Sequence, residues 1–196
     1  MTGAVHPSTV GPLIVGVGGT VRPGSTSETA LIKALEAAAA AGARTEAFGG
    51  AFLASLPIYN PHDEVAHAER DRFVDAVRRA DGIIITSPGY HGSISGLVKN
   101  ALDSLEPLSA DPRPYFHGRA VGCIVAASGA QAGGSTLAAL RSIVHALRGW
   151  PTPFGAMLNA GGLFDEARNF CDPRDAWQVE TVAQQVVSFA KAFGVN

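Results

Sequence analysis

The sequence predicts an α/β fold, a five-stranded parallel sheet with helices on both faces, and three features predict it. Apolar runs at Leu13–Val17, Gly82–Thr86 and Val121–Ala126 lack the alternation of a half-exposed strand, as strands covered on both faces do. Each run leads through a polar, glycine-rich loop into a segment whose apolar residues recur at helical spacing. This alternation occurs five times and calls for parallel strands joined by right-handed crossovers. Sheets of this kind bind ligands beyond the carboxyl ends of their strands. The loops after the first, third and fourth strands should therefore meet on one rim.

Taken in order, Met1 to Gly11 has Pro, Ser, Thr and Gly without periodicity and reads as a mobile tail. Residues 12–196 then read as a single domain, with no internal repeat. Leu13–Val17 is the first strand. The alanine-rich run from Ser27 onward is a strong helix ending near Gly42. Arg44–Phe48 is a short second strand. From Phe52 to Pro61 the two prolines, Pro57 and Pro61, predict an extended surface connection. Glu64 to Arg79 is a charged amphipathic helix with Phe73, Val74 and Val77 inward.

Gly82–Thr86 is the third strand, followed by the loop Pro88-Gly89-Tyr90-His91-Gly92 and a helix from about Ser93. Ile94, Leu97, Val98, Ala101, Leu102 and Leu105 stripe that helix. Val121–Ala126 is the fourth strand and Ser128 to Gly134 a second glycine-rich loop. Leu137, Leu140, Val144 and Leu147 stripe the next helix. Phe154–Leu158 is the fifth strand, and Val179, Val182, Val186, Phe189 and Phe193 mark a closing helix.

A length of 196 residues suits one compact domain with a substantial core. Charged residues make up 16%, below the roughly 25% of ordinary globular chains, which points toward a surface buried against another copy. A net charge of −2 offers no electrostatic footprint for nucleic acid or an anionic membrane. Cys123 and Cys171 form no disulfide framework or metal spacing and are expected as free thiols in a reducing cytoplasm. His62, His67, His117 and His145 are scattered without ligand spacing, so no metal site is expected. No leader pattern opens the chain, and no apolar run approaches the roughly 18 residues of a membrane span.

The chemistry-bearing stretch is Gly18-Gly19-Thr20-Val21-Arg22-Pro23-Gly24-Ser25-Thr26-Ser27. A helix N-terminus has unpaired N–H groups and a partial positive charge. Four hydroxyls and the Arg22 guanidinium add donors suited to phosphate. Two familiar nucleotide patterns fail here. Gly19 and Gly24 have Walker A spacing, but Ser25 stands where lysine is required. A dinucleotide fingerprint starting at Gly16 and Gly18 meets Val21 at its third glycine. The bland alternative is a polar turn without a ligand. Gly92 to Gly96 places Ile94, not a serine, at the position of a hydrolase nucleophile. Lys99, Arg141 and Arg148 read as helix-surface charges.

Gly19-Thr20-Val21-Arg22-Pro23-Gly24-Ser25, Leu56-Pro57-Ile58-Tyr59, and Ser87 to Gly96 leading to Lys99-Asn100-Ala101-Leu102-Asp103 together resemble the NADPH-dependent FMN reductase family of flavodoxin-like proteins. The resemblance runs from about Leu13 to Asn159. It implies a flavodoxin-like three-layer sandwich with strand order 2-1-3-4-5. It also implies FMN as cofactor and NADPH or NADH as hydride donor. Gly19, Thr20, Arg22, Ser25, Thr26 and Ser27 would hold the FMN phosphate. Pro88, Gly89, Tyr90, His91, Gly92 and Ser93 would pack against the isoalloxazine ring, and Ser128 and Gly129 would border its other side. Asparagine is the family's commonest residue where this chain has His91. No catalytic side chain is implied, because the flavin supplies the redox chemistry. The resemblance implies a homodimer or homotetramer through the helix Ser93–Leu105, and delivery of reduced flavin to a monooxygenase or reduction of quinone or azo acceptors. The competing readings are a flavodoxin-type electron carrier and a phosphate-sensing module without flavin.

Overall fold

The computed structural model describes residues 11–63 and 65–193, so the expected tail lies, Gly11 apart, outside them. The elements are β1 (Leu13–Gly18), α1 (Thr26–Ala40), β2 (Arg44–Phe48), α2 (Gly50–Ser55), α3 (Ala68–Arg79), β3 (Gly82–Tyr90) and β4 (Ser93–Ile94). After them come α4 (Gly96–Asp103), a 3-10 turn at Glu106–Ala110, β5 (Ala120–Ala127), α5 (Ala130–Ala146), β6 (Trp150–Pro151), β7 (Ala156–Asn159) and α6 (Pro173–Phe193).

The sheet runs β2-β1-β3-β5, with β6 and β7 pairing successive parts of β5. The interrupted pair β6/β7 occupies the fifth place, so the expected order 2-1-3-4-5 is the observed one. All main-sheet pairings are parallel. Successive residues of each strand serve opposite faces, and both are apolar. Ile14, Ile84 and Ile124 pack with Leu31, Leu35, Val182 and Val186 of α1 and α6. Val15, Ile83, Ile85, Val121 and Val125 pack with Phe73, Val98, Leu102, Leu140 and Val144 of α3, α4 and α5. That two-sided cover is why the strand runs show no alternation.

Arg119 is fully buried between these layers. It donates to the carbonyls of Ala80 at 2.7 Å, Arg78 at 2.7 Å and Tyr115 at 2.6 Å. It thus closes the end of α3 onto the start of β5. Burial, followed by the nearby Arg113 charge, pushes its guanidinium down to about 10.

Several boundaries differ from expectation. Phe52–Ser55 is helical, as part of α2, because the Phe52 ring packs on Phe48 at 4.7 Å and Leu53 is fully buried. The extended connection starts only at Leu56. Helix α3 begins at Ala68, four residues after the expected start at Glu64, which itself lies outside the described residues. Asp63 accepts the Val65 N–H at 3.0 Å and pairs with His67 at 2.8 Å, which holds the chain in a turn first. Strand β3 runs on to Tyr90 and folds back as β4, so the helix expected from Ser93 starts at Gly96. Ser95 caps it by accepting the Val98 N–H at 3.2 Å. Finally α5 starts at Ala130, taking in Gly133 and Gly134. The expected glycine-rich loop is therefore only Ser128 and Gly129.

Candidate functional site

Three loops far apart in the sequence line one cavity of about 370 Å³ at the carboxyl end of the sheet. Thr20, Arg22, Ser25, Thr26 and Ser27 come from the β1–α1 loop, Pro88, Gly89 and Tyr90 from the end of β3, and Ser128 from the end of β5. Val21, Ala126, Ala127 and Ala160 complete the lining. A second cavity of about 530 Å³ shares Ser128 and is bordered by His91, Gly92, Gly129, Gln131 and Ser135. A third, of about 470 Å³, lies between Arg22, Pro23 and Gly24 and the segment Gly162–Arg168 that follows β7.

The β1–α1 loop is braced from inside the chain. Ser25 caps α1, its Oγ accepting the Glu28 N–H at 3.4 Å. The Glu28 carboxylate accepts the Gly24 N–H at 2.8 Å and the Gly50 N–H at 3.1 Å. Thr86 Oγ1, fully buried in β3, donates to the Ser27 carbonyl at 2.9 Å. The N–H groups of Thr26 and Ser27 lie in the first helical turn, where no intrahelical acceptor exists. The Ser27 hydroxyl is buried and has no partner among the described residues. Donors thus gather here with their own carbonyls already spoken for, which suits an anion.

The second wall is a two-residue hairpin. Tyr90 pairs with Ser93 across His91 and Gly92, whose φ values are 51° and 82°. Consecutive positive φ angles are the signature of a tight hairpin turn that matches strand twist. Asparagine and histidine both tolerate this conformation better than most residues. His91 in place of asparagine therefore preserves the backbone that the turn needs. Ser87 Oγ, buried beneath, accepts the Ser95 N–H at 3.0 Å and fixes the hairpin to β3.

Two of the expected residues do not line either cavity. Gly19 is buried against α2, where a Cβ would stand 2.7 Å from the Gly50 nitrogen. Ser93 instead offers its carbonyl to Thr136 Oγ1 at 3.3 Å. The Tyr90 side chain is 53% exposed, on the rim. Lys99 pairs with Asp103 on its own helix at 2.7 Å. Arg141 departs from the expected surface charge by donating to the Thr152 carbonyl at 2.7 Å. Burial pushes the Cys123 thiol up to about 12, which keeps it protonated in the core.

For three residues the sequence offered no role that the structure now shows, although Asn100 belongs to one of the quoted motifs. Glu28 follows Ser25 at the spacing of a helix capping box, a signal that could have found it. Asn100 accepts the Tyr59 N–H at 2.8 Å and donates to the Pro57 carbonyl at 2.9 Å, which explains why the second and third motifs occur together. Arg168 reaches the β1–α1 loop from the β7–α6 segment, and no local pattern announces it.

Comparison with known proteins agrees with this architecture. The sequence model of the NADPH-dependent FMN reductase family matches residues 12–161. An FMN-dependent NADPH-azoreductase of Staphylococcus aureus is 36% identical over 91 residues, covering 46% of this chain. The match spans 44% of that relative's length. Among solved structures, an NADH:FMN oxidoreductase (EmoB, apo form) superposes with a TM-score of 0.71 at 19% identity, covering 94% of this chain and 91% of the other. FerB, an NAD(P)H:(acceptor) oxidoreductase from Paracoccus denitrificans, gives 0.69 at 19% identity, covering 94% and 100%. At such identities the two structures establish the flavodoxin-like fold alone, but the family match spans every residue that lines the central cavity. The chain belongs to the NADPH-dependent FMN reductase family.

Proposed function

We propose that this chain is an NAD(P)H-dependent FMN reductase that passes the electrons on to a quinone, an azo compound or a partner monooxygenase. One observation carries the reading: three separate loops line a single cavity whose floor holds a buried Ser27 hydroxyl, without a partner among the described residues, beside the N-terminus of α1. Thr20, Arg22, Ser25, Thr26 and Ser27, with Gly19 giving the backbone room, would hold the FMN phosphate. Pro88 to Gly92 would border the ring, Ser93 would anchor their turn, and Ser128 and Gly129 would flank the opposite edge. FMN, when bound, supplies the chemistry of accepting a hydride from the nicotinamide and releasing electrons to an acceptor.

The chain's own residues bind, orient and admit. The first helical turn of α1 presents N–H donors and partial positive charge to a dianionic phosphate. The backbone of the hairpin and of the Ser128–Gly129 turn would offer fixed dipoles to the negative charge of a reduced flavin, at no cost in reorganisation. The cavity beside His91 would admit the nicotinamide and the acceptor in turn. No acid–base side chain is required, and we assign none. A homodimer or homotetramer through α4 is part of the proposal, as is a cytoplasmic setting, where the exposed Cys171 would remain a thiol.

The test is steady-state oxidation of NADPH and NADH by the purified chain with FMN and a quinone or azo acceptor. Nucleotide oxidation that requires FMN is expected. Flavin binding without nucleotide oxidation would make it an electron carrier, and absence of flavin binding would leave only a phosphate-binding module.

A further inference from the structure

From residue 162 onward the segment between β7 and α6 lies beyond the residues of the family match, which ends at 161. It folds as a small closed turn. Phe164 and Phe170 form an antiparallel bridge with their rings 4.7 Å apart, and Leu163 is buried at the base. The Cys171 N–H donates to the Leu163 carbonyl at 3.0 Å. Inside the turn Asp165 accepts the Asn169 N–H at 2.8 Å, and the Arg168 N–H donates to the Asp165 carbonyl at 3.1 Å. Arg168 is thereby held at φ 64°, an uncommon backbone conformation for a residue with a side chain.

From this perch the guanidinium crosses to a stretch of chain 144 positions earlier. Its Nη1 donates to the Gly24 carbonyl at 2.5 Å and to Thr29 Oγ1 at 3.1 Å. The Gly24 N–H is already held by Glu28, so Gly24 is clamped on both its peptide groups. The Gly24 carbonyl and the Ser25 N–H belong to one planar trans peptide and point in opposite directions. Gly24 and Arg168 line the outer cavity, whereas Ser25 lines the central one. Drawing the carbonyl outward therefore removes an acceptor from the anion site and turns a donor toward it.

We propose that Arg168 is a positioning residue for the phosphate loop, holding the Gly24 carbonyl away from the central cavity so that the Ser25 N–H faces the flavin phosphate. This rests on the FMN reading above. Arg168 lies outside the residues that the family match covers, 12–161.

The test compares the wild-type chain with Arg168→Ala, Arg168→Lys and Asp165→Ala, the last loosening the turn while keeping the arginine. Amide hydrogen exchange across residues 24–28 is read in the flavin-free protein, and affinities are read by titration with FMN and with riboflavin, which lacks the phosphate. In Arg168→Ala the loop should exchange faster and the FMN dissociation constant rise roughly 10-fold, the worth of one charge-assisted hydrogen bond. Riboflavin affinity should stay at its wild-type value. Arg168→Lys should recover part of the loss, since an ammonium can reach one of the two acceptors, and Asp165→Ala should repeat the loss in milder form. Unchanged exchange and unchanged FMN affinity would overturn the brace. So would weaker FMN binding with unchanged exchange, which would make Arg168 a direct phosphate contact. If the wild-type chain binds no FMN, the proposed function fails first and the positioning role falls with it.

Discussion

The carboxylate of Glu28 accepts the backbone N–H of Gly50 at 3.1 Å, joining the first turn of α1 to the start of α2. Its other oxygen accepts the Gly24 N–H at 2.8 Å. One side chain thus satisfies two backbone donors, one in the β1–α1 loop and one at the start of α2. Glu28→Ala leaves both donors without that acceptor and should lower unfolding stability by about 2 kcal/mol, within the usual range for charge-assisted bonds. Glu28→Gln keeps one acceptor oxygen and should lose about half as much. Urea denaturation of the flavin-free protein measures both, and equal stability of Ala and Gln variants would contradict the two-donor role.

Arg22 is exposed and borders both the central and the outer cavity. The local geometry that presents it is an Ser/Thr-type turn, in which Thr20 Oγ1 accepts the Arg22 N–H at 3.2 Å. A guanidinium at a phosphate contributes about 1.5–3 kcal/mol. Arg22→Ala should therefore weaken FMN binding by roughly 10-fold or more while leaving riboflavin binding unaltered. A flavin fluorescence titration reads the difference directly, and an FMN affinity equal to wild type would remove Arg22 from the site.

Gly18 ends β1 opposite Thr86 of β3. A Cβ at position 18 would fall onto the Thr86 hydroxyl and its carbonyl. The same hydroxyl donates to the Ser27 carbonyl and so ties the sheet to the β1–α1 loop. Gly18→Ala must push Thr86 off that bond or part the strands, and should cost about 1–3 kcal/mol, as overpacking does. Thr86→Val keeps the shape and loses the bond, and should cost about 1 kcal/mol. Denaturant unfolding of the two variants ranks them; a Gly18→Ala protein as stable as wild type would mean the strands have room that this packing denies.

The fold was legible because its two-sided core leaves unmistakable marks. Ile83, Ile84 and Ile85 serve alternate faces, yet both faces are apolar, so the strand shows as an unbroken run. The rim was legible for a related reason: hydroxyls and glycines directly after buried strands have few other uses. Boundaries set by side chain–backbone bonds were less visible. Asp63 delays α3 and Ser95 delays α4, and each depends on a short polar residue that a hydrophobic periodicity count passes over. Arg168 was invisible because its partners, Gly24 and Thr29, are adjacent only after the sheet has formed. His91 was visible as a departure from asparagine, and its positive φ gives that departure a backbone reason.

Asp165 supplies a pH dependence to the turn that carries Arg168. The Asn169 N–H chiefly, then the Asn169 side chain, the Ala167 N–H and the Lys33 charge, hold its carboxyl below the ordinary 3.8, against a smaller opposing effect of burial. A carboxyl lowered on folding favours the ionised, folded form. Its contribution is therefore full above the ordinary value and is lost as pH falls through the lowered one. The Asn169 amide, followed by NMR as the flavin-free protein is acidified, should titrate with a midpoint below 3.8. Asp165→Asn should abolish that transition, because an amide oxygen can still accept but cannot be protonated in this range. A midpoint at or above the ordinary value would show that the turn does not hold the carboxylate, and the support beneath Arg168 would have to come from the Phe164–Phe170 bridge alone.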